Sequence, residues 1–259
     1  MTEDETQPRK RIRNDVTGSG DKYTVYALLK FGKENQLREL INKGHLYFSS
    51  KQHLRGNLNE NFDDFRYDSL EGASMYESHN SGADITMHLP TGDLSTRALK
   101  VVFTGKPVNL PGNISSFYGI TDKNLIGDKL NPIDQKMKEF GNHFILIYNY
   151  ERFIRRVCIA LDKLELHHSL GIVEYFDEYN HKGDLHYFHK KSSLSYQNEY
   201  RIDLDRQSTK PFTLKIGNLR EFATICHSDT LEYLSFCVNA DNNTLNVHFL
   251  NPTKPRPAL

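Results

Sequence analysis

SYQNEYRIDL, residues 195–204, is the stretch that decides the fold. From Tyr200 onward apolar residues alternate with charged ones, and this period of two is typical of a half-buried β-strand. Tyr200, Ile202 and Leu204 are therefore expected in the core. The opposite face of the strand carries a polar row formed by Gln197, Glu199, Arg201 and Asp203. This row is either a solvated face or a polar site, and that choice decides the function.

Helices and strands are both predicted around this strand. Residues 23–31 are apolar and β-branched enough for a first strand, residues 33–43 have apolar positions at helical spacing, and residues 45–50 predict a second strand. Gly44 stands where a glycine commonly ends a helix. The clearest helix is predicted over residues 150–166. Because these elements are interspersed without a regular β-α-β rhythm, we predict an α+β fold with a mixed or mostly antiparallel sheet and flanking helices.

Three segments have a less regular pattern. Residues 51–82 crowd acidic and amide side chains around aromatic ones, which indicates a loop with short helices held by its own aromatic residues. Residues 84–89 and 98–104 flank a turn at 90–93 and predict a hairpin. Residues 106–131 are rich in Gly, Pro and Asn and are predicted to be irregular.

The chain is long enough to form one domain with short tails. It has 259 residues, which suffice to bury a sizeable core, and we predict a single domain over residues 23–250. Residues 1–22 are polar and predict a disordered tail. Their basic cluster at residues 9–13 fits a solvated tail, a nuclear-import signal or a phosphate-binding arm. Residues 251–259 contain three prolines and predict an extended C-terminal tail.

Composition limits the classes of function. Lys+Arg 33 balance Asp+Glu 33, which argues against a general polyanion-binding protein. No apolar run approaches the roughly 20 residues that cross a bilayer, so no membrane partner is expected. Cys158, Cys226 and Cys237 show no C-x-x-C spacing and are expected to be reduced, small buried hydrophobes. Together these features predict a cytoplasmic protein.

Several common chemical signatures are missing from the sequence. The segment at residues 18–22 lacks the spacing of a phosphate-binding loop, and neither G-x-S-x-G nor H-E-x-x-H occurs. The pairs His167–His168 and His186–His189 lack a Cys or carboxylate partner at ligand spacing. We therefore predict no metal site at these histidines and expect them on the surface or in hydrogen bonds.

Glu199 allows two interpretations from its chemistry alone. In one, it is an exposed carboxylate that forms a weak surface pair with Arg201. In the other, Arg201 holds the carboxylate beside a cleft and Gln197 adds a second hydrogen-bonding group. Such a glutamate binds a ribose hydroxyl or stabilises a cationic transition state.

Four segments together resemble a large bacterial family of unknown function linked to abortive infection and phage defence. They are KFGKENQLRELINKGHLYFSS at residues 30–50, NFDDF at 61–65, GIVEYFD at 171–177 and YFHKKSSLSYQNEYRIDL at 187–204. The family opens with K-[FY], G-x-[IL]-[YF]-F-S and F-N-D-P-[FY] motifs and closes with a lysine followed by [YW]-x-x-E-[WY]-R. The resemblance covers about residues 24–235. NFDDF departs from the family motif because it has no proline and its asparagine is permuted.

The family's layout is in turn similar to that of ADP-ribosyltransferases. Those enzymes place an Arg or His on a first strand, a [ST]-x-[ST] or tyrosine strand next, and [EQ]-x-E on a later strand. Gln197 and Glu199 match the last motif, and Tyr47 or the Ser49-Ser50 pair matches the second. Lys30 occupies the first position and departs from the motif.

This similarity implies roles for the matching residues. Glu199 would contact the nicotinamide ribose of NAD and stabilise the oxocarbenium-like state as nicotinamide leaves. Gln197 would orient the acceptor, and Tyr47 would stack on the nicotinamide. The remaining expected site residues are Lys30, Ser49, Ser50 and Arg201 for NAD, and Asp63 and Asp64 for the substrate. The implied function is transfer of ADP-ribose from NAD to a protein or nucleic-acid acceptor in defence or toxicity.

Two other functions stay open at this point. A non-catalytic sensor would use the acidic 57–71 loop and the Glu199 strand to recognise a partner. A metal-dependent nuclease or other hydrolase would hold Mg²⁺ between Asp63, Asp64 and Glu199.

Overall fold

The computed structural model describes residues 23–56, 67–79, 83–98, 101–126, 129–130, 132–239 and 244–249. The predictions for the two tails and for Asp63 and Asp64 lie outside these residues.

The described part of the chain is rich in strands. In chain order they are β1 Val25–Gly32, β2 His45–Ser50, β3 Met75–His79, β4 Ala83–Leu89, β5 Gly92–Ala98, β6 Val101–Gly105, β7 Asn113–Thr121, β8 Leu125–Ile126, β9 Lys129–Leu130, β10 His143–Ile147, β11 His168–Ile172, β12 Glu174–Phe176, β13 Lys182–Asp184, β14 His189–Lys191, β15 Glu199–Leu204, β16 Phe212–Lys215, β17 Ala223–His227, β18 Leu234–Asn239 and β19 Thr244–Phe249. The α-helices are α1 Glu34–Lys43, α2 Lys51–Arg55 and α3 Tyr150–Asp162. Short 3₁₀ turns span Asp122–Asn124, Gln135–Phe140, Ser192–Gln197 and Ser228–Tyr233.

The largest sheet confirms the predicted α+β class. Its strand order is β11-β15-β7-β1-β10-β17, and β2 joins β7 to β16. Every pairing within it is antiparallel, whereas β12 and β14 form a small parallel pair. α1 and α3 pack against this sheet. The predicted antiparallel character is thus confirmed for the part of the protein that carries the core.

The central strand β7 has a gap along one edge. Its other edge pairs continuously with β15, from Asn113 to Tyr118. On the gapped edge, β2 pairs only as far as Ile114, and β1 pairs only from Tyr118 onward. The strands β1 and β2 therefore diverge and leave the edge of Ser115, Ser116 and Phe117 unpaired by either. This divergence positions the candidate site.

Apolar side chains cover both faces of the sheet. One cluster joins α1 and α3 to the sheet and includes Tyr200, Ile202 and Leu204, as the alternation predicts. A second cluster lies on the other face and includes Leu29 and Tyr118. β15 is buried along its whole length, so its polar face is also removed from water.

Three predictions about regular structure were wrong. The segment 106–131, predicted to be irregular, contains β7, the central strand. Its polar residues bond to groups distant in sequence, which composition does not reveal. The hairpin pairs β4 with β5, and residues 101–105 pair with β3 instead. β3 itself lies inside the predicted loop of residues 51–82.

Other local predictions were close to the structure. Gly44 ends α1 with a left-handed φ of 68°, a conformation that favours glycine. The predicted helix over residues 150–166 ends early, at Asp162. Cys158 and Cys226 are half-buried free thiols. Among the residues described, no helix has the length and apolarity needed to cross a membrane.

Candidate functional site

A cavity of about 210 Å³ opens where β1 and β2 diverge from β7. Its lining brings together six residues expected from the sequence: Lys30, Tyr47, Ser49, Gln197, Glu199 and Arg201. They come from both divergent strands, from β15 and from the turn before β15. The polar row on β15 is therefore a buried polar site rather than a solvated face.

Glu199 is the most heavily bonded carboxylate of this cavity. Its Oε1 accepts hydrogen bonds from Ser116 Oγ at 2.6 Å and from Arg201 Nε at 2.8 Å. Its Oε2 lies 2.6 Å from Lys190 Nζ in an ion pair. Only 2 % of the residue is exposed. The exposed surface pair with Arg201 is thereby excluded, because both partners are buried.

The two cations decide the protonation state of Glu199. Burial alone raises the pKa of this carboxyl, but the charges of Arg201 and Lys190 outweigh burial and hold the pKa well below its usual range. Glu199 is consequently ionised at every physiological pH. It is therefore not a proton donor, and its negative charge is shared between Arg201 and Lys190.

Arg201 forms ion pairs with two carboxylates, those of Glu199 and Glu71. Its Nη1 and Nη2 each donate to one oxygen of Glu71, both at 3.1 Å, and Nη1 also donates to the carbonyl of Tyr187. Burial lowers the pKa of Arg201, but Glu199 and Glu71 reverse this and raise it. Burial raises the pKa of Glu71 even against the opposing charge of Arg201. Arg201 therefore fixes Glu199 and is itself fixed by a residue far away in sequence.

Gln197 lines the cavity as predicted, but it lies in a turn and not on the strand that carries Glu199. It is the last residue of the 3₁₀ turn Ser192–Gln197 and does not extend β15. Asn198 follows with a left-handed φ of 37°, a conformation in which Asn is enriched among non-glycine residues. Its Nδ2 donates to the carbonyl of Gly119 on β7. This reversal brings Gln197 Oε1 within 2.9 Å of Lys190 Nζ.

Lys30 lies in the gap of the sheet. Its Nζ donates to Ser115 Oγ at 3.0 Å and to the Ser116 carbonyl at 2.8 Å, which β1 and β2 leave unpaired. The ring centroid of Phe117 is 4.7 Å away. Burial lowers the pKa of Lys30 to about 8, although the charge of Glu199 opposes the change.

The other predicted site residues take no part in the hydrogen bonds and ion pairs around Glu199. Tyr47 is 53 % exposed and stands at the edge of the cavity. Ser50 caps α2, since its Oγ accepts from the His53 N–H, and it does not line the cavity. Of the acidic loop 57–71, the described end faces inward, because Asp68 and Glu71 are buried.

Sequence reasoning missed four residues of the site. Ser116 fell in the segment predicted to be irregular, and Glu71 fell in the acidic loop. Tyr175 accepts a hydrogen bond from the Glu199 backbone N–H at 2.9 Å. Lys190 belongs to the pair of lysines before the closing motif, and the lysine of the family's closing motif is the signal that could have found it.

The described residues include no group of three or more His, Cys, Asp or Glu placed to hold a metal ion. Asp63 and Asp64, which the nuclease hypothesis requires, lie outside them. The histidine pair singled out in the sequence lies close together: the ring centroids of His186 and His189 are 5.2 Å apart. A Glu174 oxygen lies 3.5 Å from His189 Nε2.

No protein-family model matches the chain, and comparisons with curated proteins and with solved structures also found no match. The geometry of the cavity therefore carries the functional argument.

Proposed function

We propose that this protein is an ADP-ribosyltransferase-like enzyme that uses NAD. The observation that carries the proposal is the ionised, immobilised carboxylate of Glu199 in a cavity shared with Lys30, Tyr47 and Ser49. Glu199, Tyr47 and Ser49 occupy positions at which the sequence resembles the ADP-ribosyltransferase motifs, and Lys30 stands where those motifs have Arg or His. A setting in phage defence rests on the family resemblance alone.

The proposed reaction breaks the bond between nicotinamide and the ribose carbon C1″. Nicotinamide leaves with the bonding electron pair, and C1″ develops positive charge. A fixed negative charge in a water-poor site stabilises such a state because it needs no reorganisation. The acceptor, a protein or nucleic-acid nucleophile, then forms a bond to C1″ and loses a proton.

The cavity fits part of NAD. Its volume of about 210 Å³ is below the roughly 300–1,000 Å³ of pockets that enclose a drug-sized ligand. We assign the nicotinamide and its ribose to the cavity, with Tyr47 at the mouth beside the ring. The adenosine half lies outside it.

Release of nicotinamide from NAD tests the proposal. The wild type should release nicotinamide and should transfer label from NAD to an acceptor in a cell lysate. Glu199→Gln keeps the size of the side chain and removes the charge, and we expect its rate to fall by about 100-fold or more.

Asp203→Asn is the matched control. Asp203 lies on the same face of β15, but it pairs with Lys51 at 2.7 Å and does not line this cavity. Both variants lose a buried negative charge, so only a loss restricted to Glu199→Gln assigns the chemistry to the cavity. Folded wild type that neither consumes NAD nor labels any acceptor would count against the proposal. A cellular phenotype that survives Glu199→Gln but not changes in the 57–71 loop would favour the sensor.

A further inference from the structure

We propose that Lys30 is a nucleophilic amine that forms an imine with an aldehyde bound in the cavity. The aldehyde is a small free aldehyde or the open-chain form of a reducing sugar such as ADP-ribose. This is a covalent binding activity of the cavity and does not require that the protein cleave NAD.

The hydrogen bonds of Lys30 suit a neutral amine. A neutral amine has two N–H donors and one lone pair, whereas an ammonium has three donors. Nζ has two acceptors, Ser115 Oγ and the Ser116 carbonyl. Both N–H bonds of the neutral amine are therefore satisfied, and its lone pair is left for a third partner.

The surroundings favour the neutral form of this amine. Lys30 lines the cavity, and its Nζ lies 4.7 Å from the centroid of the Phe117 ring, an apolar neighbour that also offers a cation–π contact to the charged form. Burial lowers the pKa of Lys30 to about 8. Relative to an ordinary lysine, this raises the neutral fraction at pH 7 by roughly two orders of magnitude. Desolvated lysines of this kind are the ones that form imines with carbonyl compounds.

A negative charge in the cavity would stabilise the protonated imine that the reaction forms. Imine formation joins the neutral Nζ to the carbonyl carbon and moves one N–H proton to the carbonyl oxygen, which becomes a hydroxyl. The hydroxyl takes a second proton from solvent and leaves as water, while the nitrogen lone pair forms the C=N bond and the nitrogen keeps its remaining proton. The protonated imine carries one positive charge. Glu199 supplies the opposite charge, and Ser116 links the two sites because its carbonyl accepts from Lys30 and its hydroxyl donates to Glu199. Arg201 and Lys190, the other cations at Glu199, are held in ion pairs with it.

Lys190 provides an internal comparison. It lines the same cavity, but its Nζ lies 2.6 Å from Glu199 Oε2 and 2.9 Å from Gln197 Oε1. This ion pair favours the charged ammonium of Lys190, which has no lone pair and is not a nucleophile. If access to the cavity were all that mattered, Lys30 and Lys190 would react alike; the proposal requires that Lys30 react faster.

Reductive trapping tests the proposal without NAD. The full chain is incubated at pH 7.5 with glycolaldehyde, or in a second arm with ADP-ribose, in the presence of sodium cyanoborohydride. Peptide mass spectrometry then gives the rate of modification at each lysine. We expect Lys30 to react about tenfold faster than the exposed lysines and Lys190 in at least one arm. The arm that reacts identifies the source of the aldehyde.

Two controls keep the result interpretable. Lys30→Arg retains the positive charge and should lose the fast modification while its thermal midpoint stays close to that of the wild type. Unfolding in urea should make Lys30 react like every other lysine. If Lys30 in the folded protein reacts no faster than exposed lysines in both arms, the proposal is overturned. That result would leave NAD cleavage untouched, because the NAD assay measures a different reaction.

Discussion

Arg201 and Glu71 form a two-pronged ion pair, with Nη1–Oε1 and Nη2–Oε2 both at 3.1 Å, although 130 positions separate them in the sequence. Both side chains are buried, at 1 % and 4 % exposure. The pair ties the segment before β3 to the strand that carries Glu199. Because Arg201 Nε also donates to Glu199, the pair helps to hold the Glu199 carboxylate in the cavity.

Loss of Glu71 should destabilise the protein and weaken the site. Glu71→Ala removes the acceptor of Arg201 Nη2 and one of the two acceptors of Nη1, and it leaves the buried guanidinium with one carboxylate fewer. We expect a loss of about 3 kcal/mol in the free energy of unfolding. Glu71→Gln should lose less, because it keeps one hydrogen bond and because burial already disfavours the charge of Glu71. Urea unfolding at pH 7 measures both values. The exposed Glu139→Gln should stay within about 0.5 kcal/mol of the wild type. Equal stabilities of Glu71→Ala and Glu139→Gln would contradict the role of the pair.

Tyr175→Phe should loosen the start of β15. The hydroxyl of Tyr175 accepts from the Glu199 backbone N–H at 2.9 Å. Removing the hydroxyl leaves a buried N–H without its partner, which costs about 1–3 kcal/mol. Hydrogen exchange at the Glu199 amide should accelerate together with the loss of stability. Tyr47→Phe, at an exposed position, is the comparison and should change neither quantity. An unchanged exchange rate at Glu199 in Tyr175→Phe would show that this hydrogen bond is unimportant.

Lys30 should make stability increase with pH above neutrality. Its pKa is about 8 in the folded protein, against 10.5 for an ordinary lysine. Between these values the unfolded chain binds more protons than the folded one, so the free energy of unfolding rises with pH. Below pH 8 the full cost of burying the charge is present, and the difference between these pKa values corresponds to at most about 3.4 kcal/mol. Glu199 is the charged group that opposes the effect of burial on the pKa of Lys30. The other charged side chains that line the cavity are Asp68, Glu71, Lys190 and Arg201.

The difference between wild type and Lys30→Met isolates this contribution. Urea unfolding at several values from pH 7 to pH 10 should show Lys30→Met gaining less stability with rising pH than the wild type. Lys215→Met, at an exposed position, should follow the wild type in parallel. If the free energy of unfolding of Lys30→Met changes with pH in parallel with that of the wild type, Lys30 does not titrate in this range.

Local patterns predicted those parts of the fold that depend on neighbouring residues. The alternation along β15, the helical spacing of α1 and the glycine at its end are properties of short segments, and each agrees with the structure. β7 was missed because its polar residues are paired by partners from other strands. Asn113 Nδ2, for example, donates to the carbonyl of Lys210 at 2.9 Å. A polar central strand of this kind has the composition of a loop.

The sequence by itself determined that Glu199, Arg201 and Asp203 share one face of a strand, because side chains alternate along an extended backbone. It also singled out Lys30, Tyr47 and Ser49 as residues that accompany Glu199. Only the tertiary structure decided that this face is buried and that Arg201 joins Glu199 to Glu71. Only the tertiary structure placed Lys30 in the gap between β1 and β2. These relationships join residues 83 to 130 positions apart, and at such separations the pairing of strands, rather than any local pattern, fixes which charges meet.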